Sequence, residues 1–237
     1  MQKTLAAAAF AAALGIGGAQ AADLNGGSMK DAPAYVPGVN WSGFYLGGHV
    51  GGAWSDNKVT NYNEPADTSF TSSTSGVFGG AQLGYNVQRN NFVFGVEADL
   101  GGMDLDHATA QAIATYIVAK TAPGFYADVT GRLGFAADRM LIYGKGGYAY
   151  YGGSLSVTDI GEATTKVTGI DGWTAGGGLE YSINPAWSAK VEYQYFDFGK
   201  ERLVIATDGD RYDSEFTVST AKVGLNYHVW SGYQPLK

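Results

Sequence analysis

Only 16% of the 237 residues carry charge, so the groups able to hold a proton or an ion can be placed one by one. Glu97, Asp99, Asp128, Arg132, Lys145, Glu180, Lys190, Glu192 and Lys222 all fall in segments where large apolar residues alternate with small or polar ones, and each takes the polar parity of its segment. The opposite parity carries no charge within the central span of any of these segments. Five acids and four bases gathered on one set of faces can neutralise one another as a ladder of ion pairs. Such pairs add little net stability when buried, but loss of one partner leaves an uncompensated charge.

Three histidines complete the reactive inventory. His49 and His228 take the polar parity of the first and last alternating segments. If those segments adjoin, about 3.3 Å per residue puts the two rings on the order of 15 Å apart in height, which gives them separate roles in a polar network rather than a shared ligand. His107 lies beside Met103, Asp104 and Asp106 in a long polar link, where the chemistry open to it is that of an exposed axial ligand to hemin; the alternative is a solvated loop histidine. Nucleophilic catalysis needs a base within hydrogen-bond reach of the nucleophile and a third group to orient that base, and no serine stands near His107. There is no HExxH, no P-loop and no dinucleotide fingerprint, and Gly176-Gly177-Gly178 reads as packing within a strand. No catalytic residue, no metal site and no cofactor other than hemin at His107 is therefore expected.

The elements that carry these groups read as strands. In FVFGVEADL, Phe92, Phe94, Val96, Ala98 and Leu100 oppose Val93, Glu97 and Asp99. The same two-residue period runs through WSGFYLGGHVGGAW, GVFGGAQLGYNVQ, FYADVTGRLGF, MLIYGKGGYAYY, GWTAGGGLEYSI, WSAKVEYQY and STAKVGLNYHV, about eight strands in all. Arg89-Asn90-Asn91, Asp138-Arg139 and Asn184-Pro185-Ala186 are hairpin turns. The intervening links are polar and roughly 15 to 20 residues long, beginning with SDNKVTNYNEPADTSFTSSTS. Short turns on one rim and long loops on the other describe an up-and-down barrel standing in a membrane.

Period alone does not say which face points inward, since a soluble, lipocalin-like barrel would turn the same charges out. Three features decide. Phe44, Trp54, Phe92, Trp173, Trp187, Tyr195 and Tyr227 lie near strand ends, where aromatic girdles meet the membrane interface. Strands of about 9 to 12 residues suit a tilted crossing. MQKTLAAAAFAAALGIGGAQAAD opens the chain with the pattern of a secretory signal peptide. The expected organisation is a signal peptide over 1–21, a flexible periplasmic lead-in over 22–40, an all-β, eight-stranded antiparallel transmembrane barrel over 41–230, and a tail over 231–237. The eighth strand must pair with the first, because hydrocarbon offers no partner to a free N–H or C=O. An eight-stranded lumen is filled by side chains, here by the nine ionisable groups, with glycines on both faces such as Gly47, Gly95, Gly134 and Gly176 making room. With Cys 0 the exported chain has no disulfide, and a formal charge of -7 without a Lys/Arg cluster argues against nucleic acid.

WSGFYLGGHVGGAW, GYNVQRNNFVFGVEADL, TGRLGFAADRMLIYGKGGYAY and AKVGLNYHV resemble, in order and spacing, the small outer-membrane proteins of alpha-proteobacteria. This is a porin-family, OmpA-like barrel group named after members of about 25 and 31 kDa. The resemblance implies an outer-membrane location with both termini periplasmic, contact with outer-membrane lipid and lipopolysaccharide, assembly by the barrel-insertion machinery, and a monomer. It makes Lys222, Gly224, Tyr227 and Val229 the terminal-strand signal which that machinery reads, although the chain runs on past Trp230 through SGYQPLK where such proteins commonly stop on an aromatic residue. The function it implies is structural: four extracellular loops, envelope integrity and surface interactions. A small porin or a hemin-binding surface protein is the alternative.

Overall fold

The computed structural model describes residues 39–61, 68–105, 110–112, 115–122, 124–159, 165–204 and 211–229. The signal-peptide assignment, residues 22–38 of the lead-in, His107 and the tail lie outside the described residues. Among the described residues are strands β1 (Gly43–Asn61), β2 (Thr68–Arg89), β3 (Phe92–Leu105), β4 (Ala110–Ala112), β5 (Thr115–Ala122), β6 (Gly124–Ala137), β7 (Met140–Asp159), β8 (Thr165–Asn184), β9 (Trp187–Val204) and β10 (Arg211–His228). Eight of them, β1, β2, β3, β6, β7, β8, β9 and β10, form a closed antiparallel barrel in that order; β4 and β5 make a short hairpin that pairs onto β7.

The barrel closes between the first strand and the last, which pair continuously from Tyr45↔His228 to Asn61↔Tyr212. Two-residue turns join β2 to β3 at Asn90-Asn91, β6 to β7 at Asp138-Arg139 and β8 to β9 at Pro185-Ala186. Asn90 and Asp138 adopt positive φ of 53° and 50°, the left-handed backbone that tight hairpins need and that Asn and Asp tolerate best. At the third turn the Asn184 carboxamide oxygen accepts from the backbone N–H groups of Ala186 and Trp187, at 2.9 and 3.0 Å.

Alternation sets the two surfaces. Phe44, Leu46, Val50, Leu83, Phe94, Val96, Val129, Leu133, Ile142, Val191, Val223 and Leu225 face outward and are about half exposed, so the apolar side of every strand is the outside. From Phe44 to Trp54 along a tilted strand, this gives an apolar band on the order of 25 Å tall. Phe44–Tyr85, Phe92–Phe135 and Trp187–Tyr227 ring pairs bound it at the short-turn end, and Phe125–Tyr150 and Trp173–Tyr195 at the other.

The strands are longer than a membrane crossing requires, from 14 to 22 residues in the barrel. Most of what reads as long loops in the sequence is in fact strand. β1 and β2 remain paired to Asn61↔Thr68, and residues 101–105, where a loop is expected, extend β3. The excess lies beyond the Trp54 and Trp173 end, where the barrel divides. β8 and β9 part above Trp173↔Asp197, while β8 stays paired with β7 as far as Val157↔Thr165 and β9 with β10 as far as Arg211↔Val204. Each departing strand bends at a left-handed glycine, Gly169 (φ 77°) on β8 and Gly199 (φ 72°) on β9, a conformation open to glycine without penalty. On the β9–β10 hairpin, Lys200 and Glu215 pair across strands in the open; the hydrogen bond from Lys200 holds the Glu215 carboxyl below the usual carboxylate range, an exposed contact that contributes little to stability.

Candidate functional site: a stratified lumen

The nine ionisable residues on the polar parity are all buried inside the barrel. They converge from six strands. The Lys145 ammonium on β7 meets Glu97 Oε1 at 2.7 Å, Asp99 Oδ2 at 3.0 Å and Glu192 Oε1 at 3.0 Å. Lys222 on β10 reaches Glu192 Oε1 at 2.9 Å and Asp99 Oδ1 at 3.2 Å. Lys190 on β9 lies 3.4 Å from both Glu97 and Glu192. Arg132 on β6 pairs with Glu180 on β8 and stands 3.9 Å from Glu97. Its guanidinium carbon sits 3.6 Å from the Tyr143 ring centroid, a cation–π contact strengthened by the absence of water. The remaining carboxylate lone pairs are taken by neutral donors: Tyr45 Oη to Glu97 at 2.7 Å, Tyr143 Oη to Glu192 at 2.6 Å and Asn226 Nδ2 to Glu180 at 2.7 Å. Tyr45 reaches across because Gly84 opposes it; a Cβ there would lie 2.2 Å from Tyr45 Cζ.

Five acids face four bases in this belt, and the odd acid is Asp128. Asp128 Oδ2 accepts from Gln194 Nε2 at 3.3 Å, Oδ1 has no hydrogen-bond partner, and the residue is 2% exposed. Its cross-strand neighbour on β3 is another acid, Asp99, while Lys145 and Lys222 spend their contacts on Asp99, Glu97 and Glu192.

Apolar layers close the belt at both ends. At the short-turn end Trp41, just before β1, enters the lumen mouth with Val93, Ala136, Leu141 and Tyr143. Its backbone N–H donates to Gln88 Oε1 at 2.8 Å, and its ring stands edge-on to His228 at 5.8 Å. At the other end Phe78, Met103, Leu105, Tyr126, Tyr151, Ile170, Phe196, Phe198, Phe216 and Val218 form one buried cluster inside the barrel. Phe198 stacks with Phe196 at 6.1 Å and with Phe216 at 5.7 Å. The charged set is therefore the middle of the filling and not the whole of it, which corrects the expectation from sequence. The signal was present: Phe196 and Phe198 continue the parity of Glu192 and Gln194, and Phe216 and Val218 that of Lys222.

The two described histidines have separate surroundings. His49 joins Tyr126 and, through Nδ1 at 2.7 Å, Gln82, with Asp99 at 3.6 Å. His228 Nε2 lies 2.9 Å from Ser188 Oγ and 3.8 Å from Glu180 Oε1. A serine, a histidine and a glutamate do meet here, but the arrangement is not that of a nucleophile. Glu180 accepts from Ser188 itself rather than orienting the imidazole, and Ser188 is 0% exposed. Among the described residues no group of three or more His, Cys, Asp or Glu side chains is placed to hold a metal. Of the four residues read as a terminal-strand signal, Lys222 and Gly224 face the lumen, while Tyr227 and Val229 face out.

A family model described as outer membrane protein beta-barrel domain matches residues 8–228. The 31 kDa outer-membrane immunogenic protein of Brucella melitensis is 36% identical over 217 residues, which cover 84% of this chain and 89% of that protein. The 22 kDa outer membrane protein of Rhizobium leguminosarum is 29% identical over 196 residues, 83% of this chain and 81% of that one. Among solved structures, the outer membrane protein OprG from Pseudomonas aeruginosa aligns with a TM-score of 0.46 and 12% identity, covering 79% of this chain and 98% of that one.

Two stability measurements test the energetics of the belt. Arg132→Ala strands Glu180 without its cation and is expected to cost about 3 to 5 kcal/mol, lowering the unfolding temperature of the detergent-solubilised barrel well below that of Lys58→Ala on the exposed part of β1; equal effects would refute the buried pairing. Asp128→Asn removes the one carboxylate that faces no cation and supplies an amide able to donate towards Asp99. It is expected to raise stability by about 1 to 3 kcal/mol, and a loss of stability would show that Asp128 is satisfied as it stands.

Proposed function

This chain belongs to the outer membrane protein beta-barrel domain family, and from that premise we propose that it is a non-conducting structural element of the outer membrane whose long hairpins form its interaction surface. The observation that carries this reading is the stratified lumen. A water-filled channel needs a continuous polar path, whereas here a belt of paired charges is closed above by a stack of aromatic rings and below by Trp41. The small-porin alternative is disfavoured by the same two layers.

The asymmetry of the barrel supports the orientation. Two-residue turns on one side and paired hairpins reaching well past the apolar band on the other correspond to the periplasmic and external rims of bacterial barrels, which supports a reading with both termini in the periplasm. Beyond the band the hairpins carry Asp56, Lys58, Ser73, Lys200 and Glu215 on their outer faces, polar surface suited to lipopolysaccharide headgroups and external molecules. A rigid scaffold that holds variable polar segments away from a membrane is a common design for surface recognition. The Brucella relatives are named outer-membrane immunogenic proteins, which is compatible with a surface role for this chain. Lys222 and Gly224 turned inward with Tyr227 and Val229 turned outward fit a strand signal read by the insertion machinery. Contacts with lipid, lipopolysaccharide and that machinery, envelope integrity and a monomeric state belong to this reading.

Refolded protein in planar bilayers should give no steady conductance steps; sizeable stable steps would overturn the closed lumen. Protease added to intact cells should cut between residues 55 and 75, on the β1–β2 hairpin, and leave the Asn90-Asn91 turn intact. Cleavage at the turn alone would invert the orientation.

A further inference from the structure

The apolar wall is not uniformly convex. Where β8, β9, β10 and β1 run side by side, with Met140 of β7 and Gly80 of β2 at its two margins, an open groove of about 950 Å³ is set into the half of the band nearest the short turns. Small residues cause it. Ala189 on β9 stands between Tyr181 on β8 and Leu225 on β10, and Gly48 on β1 lies beside Leu225. With a methyl group and a hydrogen beside the eight side-chain heavy atoms of Tyr181 and the four of Leu225, the surface recedes. Glu180 and Lys190 border the groove only from behind, because their side chains are buried in the lumen. The Trp187–Tyr227 ring pair, with centroids 5.2 Å apart, closes the lower end at the girdle.

We propose that this groove is a specific seat for one acyl chain of a phospholipid in the leaflet that meets the short turns. The groove is continuous with the lipid-facing band, so its neighbours are hydrocarbon chains, and its walls offer such a chain contact on three sides. At the girdle, the Trp187 indole N–H and the Tyr227 hydroxyl are the kind of donors that meet the ester and phosphate oxygens of a phospholipid whose chain enters the groove. A second copy of the barrel fits the groove poorly. A two-fold contact sets the same patch against itself, and two recesses facing each other leave a void that close packing disfavours.

The seat rests on insertion in a membrane. Its leaflet, and hence the lipid class, rests on the orientation proposed above, whereas neither depends on whether the lumen conducts. Native mass spectrometry of the full barrel, extracted in mild detergent and offered both phospholipid and lipid A, separates these points. Wild-type protein should retain one phospholipid per barrel. Gly48→Leu with Ala189→Leu should lose it, as should Gly48→Val alone, a change the backbone accommodates because the nearest atom to a Cβ there is 3.6 Å away. Gly131→Leu on β6, a strand that contributes nothing to the groove and where the nearest atom to a Cβ is 3.9 Å away, should keep it. Retention of lipid A instead would overturn both the leaflet and the proposed orientation. No retained lipid, equal retention in the filled variants, or a lipid-free dimer would overturn the seat while leaving the orientation and the closed lumen standing.

Discussion

Hydrocarbon cannot hydrogen-bond, and that one constraint organises the molecule. Any N–H or C=O exposed to lipid costs several kcal/mol, so within the apolar band each strand must have two neighbours. The first strand and the last can satisfy this only by pairing with each other, which they do along their whole common length. Closure in turn fixes the diameter, and eight strands leave an interior that side chains can fill, as they do here. Above the band, where water can serve as partner, the requirement lapses; there β8 and β9 separate, each remaining paired on its other side, with β7 and with β10.

A narrow lumen determines what can fill it. Charges drawn away from both lipid and bulk water must neutralise one another at short range, and they do so as a mesh rather than as isolated pairs: Glu97 is approached by Lys145, Lys190 and Arg132 together. Sharing each ion among several partners lowers the ordering cost per contact, because a side chain held by one neighbour is already fixed for the next. The aromatic cluster above and Trp41 below shield this mesh from water, which keeps its contacts strong and makes the loss of any member costly.

Much of this was legible in the sequence. Alternation at period two survives in every membrane-crossing segment, so parity alone put Glu97, Arg132, Lys145 and Lys190 on a common surface, and the inside-out reading followed from girdle aromatics and an export signal. Strand length was not legible. Residues such as Ser55, Asp56, Asn57, Ser72 and Ser73 have no apolar face, and their extension comes from pairing with neighbours rather than from their own pattern. The apolar plugs were missed for a related reason: Phe196, Phe198 and Phe216 sit past the last clear alternation, in stretches that read as loop. Five acids and four bases could be counted in the sequence. Which acid is left without a cation could not, because that depends on which ammonium groups reach across the lumen.

Trp41 and His228 touch, and they come from opposite ends of the barrel sequence. The residue that stoppers the short-turn mouth leans on a ring carried by the last strand, and Val229 donates its backbone N–H to Phe44 O beside it. The first and last strands of the wall thus also bring together the groups that close this mouth, so one seam serves both the cylinder and its stopper. A change that weakens the pairing of those two strands would loosen the plug as well as the wall, and admit water to the paired charges behind it.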